Sequence, residues 1–115
     1  MRIAVTSQNF RTITGHAGKT RRFLVFEPGP DGRAPVEVER LDLPKSMSLH
    51  EHHGDDHPVY DMDVVVTAGC GEGFVRRLST HGVRVIATSE TDPVRAATAV
   101  IAGETLEPAA PHGEH

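Results

Sequence analysis

The stretch Asp63-Val64-Val65-Val66-Thr67-Ala68-Gly69-Cys70-Gly71-Glu72-Gly73 leaves this chain few ways to fold. Three consecutive valines with no polar alternation predict a short strand buried on both faces, the habit of a central parallel strand. Gly69, Gly71 and Gly73 follow at once, and Phe74, Val75 and Leu78 then begin an apolar stripe at helical spacing. The order is strand, glycine turn, helix. Such a turn aims unpaired backbone N–H groups at whatever sits above the C-terminal end of the strand. The chain's single cysteine, Cys70, lies within it. A tight turn in which glycines merely relieve crowding is the simpler account of the same residues.

The flanking sequence supplies the rest of a sheet. Arg2 to Ser7 is a compact apolar run suited to an inner opening strand, and Thr20 to Glu27 reads as a second. The turn signal Pro28-Gly29-Pro30-Asp31-Gly32 joins it to Val36–Leu41, whose alternation predicts a half-exposed edge strand of a hairpin. A helix is expected from about Glu72 to His81 with Gly82 after its end, then a last strand over Val83 to Ala87. Asp92-Pro93 gives an N-cap and a proline at the first helical position, with Val94, Ala97 and Ile101 as the expected buried face and Gly103 as the stop. The domain is expected to span residues 1–106, and the Pro-, Gly- and polar-rich 107–115 to be a disordered tail.

Helical crossovers make strands one, four and five parallel neighbours, and the hairpin makes strand two antiparallel. A single α/β domain follows, with a five-stranded mixed sheet in the order 3-2-1-4-5 flanked by helices. Ligands of open α/β sheets collect where the chain changes sides, here between strands one and four. The loop after Ser7, the glycine turn and the loop after strand three should all reach that rim.

At 115 residues the chain has room for one core, and with 4% aromatic residues that core must be mostly aliphatic. A formal charge of −4 and a pI near 6.0 give no electrostatic attraction to nucleic acid or an anionic membrane. No signal sequence or spanning apolar run is apparent, so a cytoplasmic protein is expected. One cysteine rules out an intrachain disulfide and fits a reducing compartment.

Histidine is the unusual component: of eight, four fall in His50-Glu51-His52-His53-Gly54-Asp55-Asp56-His57. Imidazole and thiolate are ligands for zinc, nickel, copper, iron and sulfide clusters, and the interleaved carboxylates can ligate or fix a tautomer. The segment is too polar to be core and is placed on a loop; His50, His52, His53, His57 and Cys70 are the candidate metal ligands. The competing account is a solvated polar loop. Cys70, at a helix N-terminus, is expected to have a depressed thiol pKa and to serve as a ligand or redox-sensitive thiol, or else to be a small packed residue. His16, in Gly15-His16-Ala17-Gly18, should face the same rim. With Gly69, Cys70, Gly71 and Gly73 it makes the candidate cofactor-binding set. His81 reads as a charge partner for a helix C-terminus, and His112 and His115 belong to the tail. No catalytic residue is assigned. A Cys70–His dyad lacks an orienting group, Asp61 and Asp63 stand at the wrong end of the strand for a two-metal site, and no phosphate-loop Gly-Lys-Ser/Thr is present.

Taken in order, Met1-Arg2-Ile3-Ala4-Val5-Thr6-Ser7, Gly15-His16-Ala17-Gly18 with Arg22-Phe23, Asp63-Val64-Val65-Val66 before Gly69-Cys70-Gly71-Glu72-Gly73, Leu78, Gly82-Val83, Thr88 and the Ala-rich last helix resemble the dinitrogenase iron-molybdenum cofactor biosynthesis family, the NifX-like accessory proteins. The resemblance implies a ribonuclease H-like fold. It also implies a non-catalytic role in carrying an iron-molybdenum or iron-sulfur-type cluster, or its precursor, among cofactor-assembly proteins. With one cysteine, the chain lacks the three-cysteine motif of the radical enzyme that carries a similar domain. Two other readings stand beside the carrier: a His-rich buffer or sensor for zinc or another divalent metal, and a small enzyme with Cys70 as nucleophile.

Overall fold

The computed structural model describes residues 1–109. Its strands are β1 (Ile3–Thr6), β2 (Arg22–Pro28), β3 (Pro35–Asp42), β4 (Val64–Thr67) and β5 (Arg84–Ala87), and its helices are α1 (Glu72–Ser79) and α2 (Pro93–Ala102). The sheet order is β3-β2-β1-β4-β5, with β1, β4 and β5 parallel and β2 antiparallel to both of its neighbours. The expected order and directions are therefore met. Every residue of β1 and β4 is buried, which is why their valines and isoleucine show no polar alternation.

Successive side chains leave opposite faces of the sheet. Ala4, Phe23, Val25, Leu41 and Val65 face Phe74 and Leu78 of α1, with Leu49, Val59 and Met62 from the long β3–β4 connection in the same cluster. Ile3, Val5, Leu24, Phe26, Val64 and Val66 pack against Ala96, Ala97 and Val100 of α2 and against Ile13. The connection from Pro44 to Asp63 thus works as a third covering layer beside α1. It is not a bare polar loop, because Leu49, His57 and Val59 are buried within it.

One local expectation needs correction. The buried face of α2 is Pro93, Ala96, Ala97 and Val100, whereas Val94 is 53% exposed. The buried Pro93 at the first turn sets the helix phase, and the alanines let the backbone approach the sheet closely. At the C-terminus, Glu107 is paired: its carbonyl accepts from Ser89 N at 3.1 Å and from Thr88 Oγ1 at 2.5 Å, and Pro108 bridges Thr88. The remainder of the expected tail, with His112 and His115, lies outside the described residues from 110 onward. β3 is an edge strand as expected, with Val36 and Val38 each 45% exposed.

Candidate functional site

The C-terminal ends of β1 and β4 are stitched to the loop after β1. Thr6 Oγ1 donates to Thr14 O at 2.5 Å and lies 2.9 Å from Thr67 Oγ1, while Ala68 N donates to Thr14 O at 3.1 Å. Ala17 N then donates to Gly69 O at 3.2 Å, and His50 N to Gly18 O at 2.7 Å. The backbone segments bearing His16, His50 and Cys70 are consequently hydrogen-bonded neighbours at the switch point of the sheet. His16 and His50 are exposed there. His16 has φ +54°, a left-handed conformation that costs a non-glycine residue roughly 1 kcal/mol or more.

The glycine turn has an unexpected property. Gly71 has φ −87°, Gly73 lies inside the first turn of α1, and a Cβ built on either would meet nothing within 4 Å. Neither backbone conformation nor crowding requires glycine at these two positions, so the simple account of a turn relieved by glycines does not hold for them. Their effect is to leave bare backbone at the start of α1, where, among the described residues, no side chain caps the free N–H groups.

Cys70 stands between Gly69 and Gly71, half-buried against the α1-side core. Burial pushes its thiol above the ordinary value of 9.0. That reverses the expected depression: among the described residues no charge opposes the loss of water at the sulfur. A metal binding there would have to displace a proton.

The histidine-rich loop is not uniform. His57 is 1% exposed, with Nδ1 accepting from Val59 N at 3.0 Å and Nε2 lying 2.6 Å from Met47 O. With Nδ1 an acceptor, Nε2 carries the proton and donates. Both nitrogens are thus occupied, and His57 acts as the N-cap of the short 3-10 helix Pro58–Asp61. Burial, and then the nearby His52 and Arg77 charges, hold its pKa below the usual 6.5, partly offset by the Met47 bond and by Asp56. His52 Nε2 contacts Asp56 Oδ1 at 2.7 Å; this bond is the main cause of the lowered Asp56 pKa. His53 is exposed.

Arg77 of α1 holds this loop in place, and nothing in the apolar spacing of the helix marks it in advance. Its guanidinium donates to Tyr60 Oη at 2.6 Å and to the carbonyls of Leu49 and His52. Beyond the helix end, His81 stacks on Tyr60, with centroids 3.6 Å apart and planes 6° from parallel. Asp61 is exposed, and Asp63 accepts from Arg2 N at 2.7 Å. Among the described residues, no three His, Cys, Asp or Glu side chains converge closely enough to hold a metal ion. A shallow cleft of about 400 Å³ between Ser89–Thr91, Arg95 and Glu104–Glu107 takes in none of the candidate residues.

The sequence profile of the family described as dinitrogenase iron-molybdenum cofactor matches residues 1–103. The chain belongs to this family. The match spans every strand and both helices, so it includes the glycine turn and the histidine-rich loop together. Membership connects the chain to iron-molybdenum cofactor biosynthesis and to the accessory proteins of nitrogenase. No protein with a curated description matches it. Among solved structures, the crystal structure of PH0822 is 21% identical, with a TM-score of 0.62 over 90% of this chain and 92% of that one. The NMR structure of TM1290 from Thermotoga, a NifB candidate of the DUF35 family, is 15% identical, with a TM-score of 0.60 over 99% and 98%. At these identities the likeness is one of fold. No helix among the described residues is long and apolar enough to cross a membrane.

Proposed function

We propose that this member of the dinitrogenase iron-molybdenum cofactor family is a non-catalytic cytoplasmic carrier, on a ribonuclease H-like scaffold, for an iron-molybdenum or related metal-sulfur cluster or its precursor. The observation that carries the reading is the pair of glycines at positions 71 and 73, which the fold does not need. Bare backbone at an uncapped helix start lets an anionic cluster edge approach the N–H groups of α1 directly. His16, His50 and Cys70 are the side chains whose backbones border that surface, and they are our proposed ligands. His52 and His53, farther along the loop, are reserve ligands for an incoming or departing cargo. His57 anchors the loop from inside. A carrier must release what it holds, and a shallow rim with few ligands suits transfer between assembly proteins better than an enclosed cage.

The test is anaerobic uptake of an isolated iron-molybdenum cofactor or its iron-sulfur precursor, followed by metal and sulfide analysis. Gly71→Ala and Gly73→Ala should keep the native fold, with Gly73→Ala even stabilising α1 by roughly 0.5–1 kcal/mol, the usual difference between alanine and glycine inside a helix. Cluster affinity should nevertheless fall at least tenfold in both variants and in His16→Ala. Unchanged uptake in the glycine variants would sink the proposed site.

A further inference from the structure

The geometry points to a docking surface for an acidic segment of a partner protein, formed by Lys19, Arg21 and Lys45 on the β2–β3 side of the rim. It stands apart from the carrier reading, since none of the three is a proposed ligand. The sequence sets up the charge. The first 26 residues hold five Lys and Arg and no Asp or Glu, in a chain whose formal net charge is −4. Arg2 pairs with Glu27 and Glu39, and Arg22 with Asp42. Lys19 and Arg21 pair with no carboxylate among the described residues, and neither does Lys45 across the hairpin.

The backbone brings the three together. Leu43 N donates to Arg21 O at 2.9 Å, which continues the β2–β3 ladder one step past the Arg22–Asp42 pair. Arg21 and Leu43 are therefore opposite one another. Thr20 and Pro44 are both extended, with ψ of 136° and 159°. Lys19 accordingly leaves the same side of the chain as Arg21, and Lys45 the same side as Leu43. Neighbouring strands lie about 5 Å apart and alternate residues about 7 Å, so the three cationic side chains share one surface. Lys19 and Lys45 are exposed and Arg21 is partly so, while Thr20, 1% exposed, anchors the strip from below. Like charges on facing positions repel. Glu51, exposed one residue past the His50–Gly18 bond, pairs with none of them. A chain with carboxylates to spare thus leaves this repulsion standing, and an acidic segment laid across the strip would relieve it and be steered to the rim. Nucleic acid is the poorer occupant: an extended polyanion would meet the net negative remainder of the surface, whereas a short acidic segment need touch only the strip.

The test is an amide NMR titration of the full chain with a capped hexaglutamate peptide at low salt. The amides of Lys19, Arg21, Leu43 and Lys45 should shift saturably, and the affinity should fall about fivefold or more between roughly 20 and 200 mM salt. Lys19→Gln combined with Lys45→Gln should weaken binding about five- to tenfold, with the sheet amide shifts unchanged because both positions are exposed. Arg84→Gln, which removes an exposed cation at the start of β5, should have no effect. The proposal is overturned if millimolar peptide gives no saturable shift at these amides, if the double variant binds as the unaltered chain does, or if Arg84→Gln loses as much. Equal or tighter binding of a single-stranded oligonucleotide of the same charge assigns the strip to nucleic acid and also overturns it. Cluster uptake is measured separately, so a chain that takes no cluster yet binds the peptide here refutes the carrier and supports this surface.

Discussion

Replacing Arg77 by methionine should release the histidine-rich loop from α1 without unfolding the sheet. Methionine keeps much of the apolar stem, so the loss is chiefly that of the guanidinium. Three acceptors lose their donor: Tyr60 Oη and the carbonyls of Leu49 and His52. Leu49 is 3% exposed, so its carbonyl loses a charged donor where water is scarce, at about 1–3 kcal/mol. Water can replace the donor more readily at Tyr60 and His52, which are only partly buried, and each contributes about 0.5–1 kcal/mol. The sum, about 3 kcal/mol, corresponds to roughly a 150-fold larger equilibrium constant for opening of the loop. Native-state amide exchange reads this directly. The reporters are His50 N, bonded to Gly18 O, His52 N, bonded to Ser48 O, and Val59 N, bonded to His57 Nδ1. Their exchange should accelerate by that factor while Ala4, Val5 and Val65 in the central strands change far less. Equal acceleration in both sets, or none at the loop, would refute the role given to Arg77.

The buried histidine and the cysteine give two further tests. His57 has a depressed pKa in the folded chain, so the unfolded chain takes its proton more readily; its contribution is complete above about 6.5 and is lost as pH falls below that value. Denaturant midpoints should decline between pH 7 and 5, and His57→Gln should flatten that slope; an unchanged slope would assign the loss to other groups. Cys70, its thiol raised by burial, should react with iodoacetamide at pH 8 several-fold more slowly than a cysteine in a flexible peptide. A rate equal to or above the peptide's would mean that the turn exposes a thiolate after all.

The sheet was legible because each inner strand carries its own signature. Val64 to Val66 are apolar without alternation because both faces are covered, and β3 carries glutamates among its valines because it lies at the edge, where Val36 to Arg40 are all exposed. Asp92 and Pro93 start α2 as their chemistry requires, with Asp92 Oδ1 accepting from Val94 N at 2.9 Å. The phase of α2 was less legible: Val94, Ala97 and Ile101 form one acceptable stripe and Pro93, Ala96, Ala97 and Val100 another, and only packing against the sheet selects between them. Burial of the β3–β4 connection was hidden for a related reason. His57 counts as polar in any sequence pattern, yet with both nitrogens bonded it fills space under the loop as an apolar residue would.

The candidate site was legible in position and not in chemistry. Strand order alone brings the His16 loop, the glycine turn and the start of the histidine-rich loop to one rim, because the C-terminal ends of parallel β1 and β4 must coincide. Spacing within His50 to His57 says nothing of which rings turn inward. That division is made by Arg77, which draws the Leu49 and His52 carbonyls onto α1, and by Met47 O, which captures His57. One end of the loop is left with His50 exposed beside Gly18; the other carries Asp55 to His81. A sequence dense in histidine therefore need not encode one dense metal site. Here the same eight residues serve a rim, an internal anchor and a helix end, and substituting all four histidines together would confound the three.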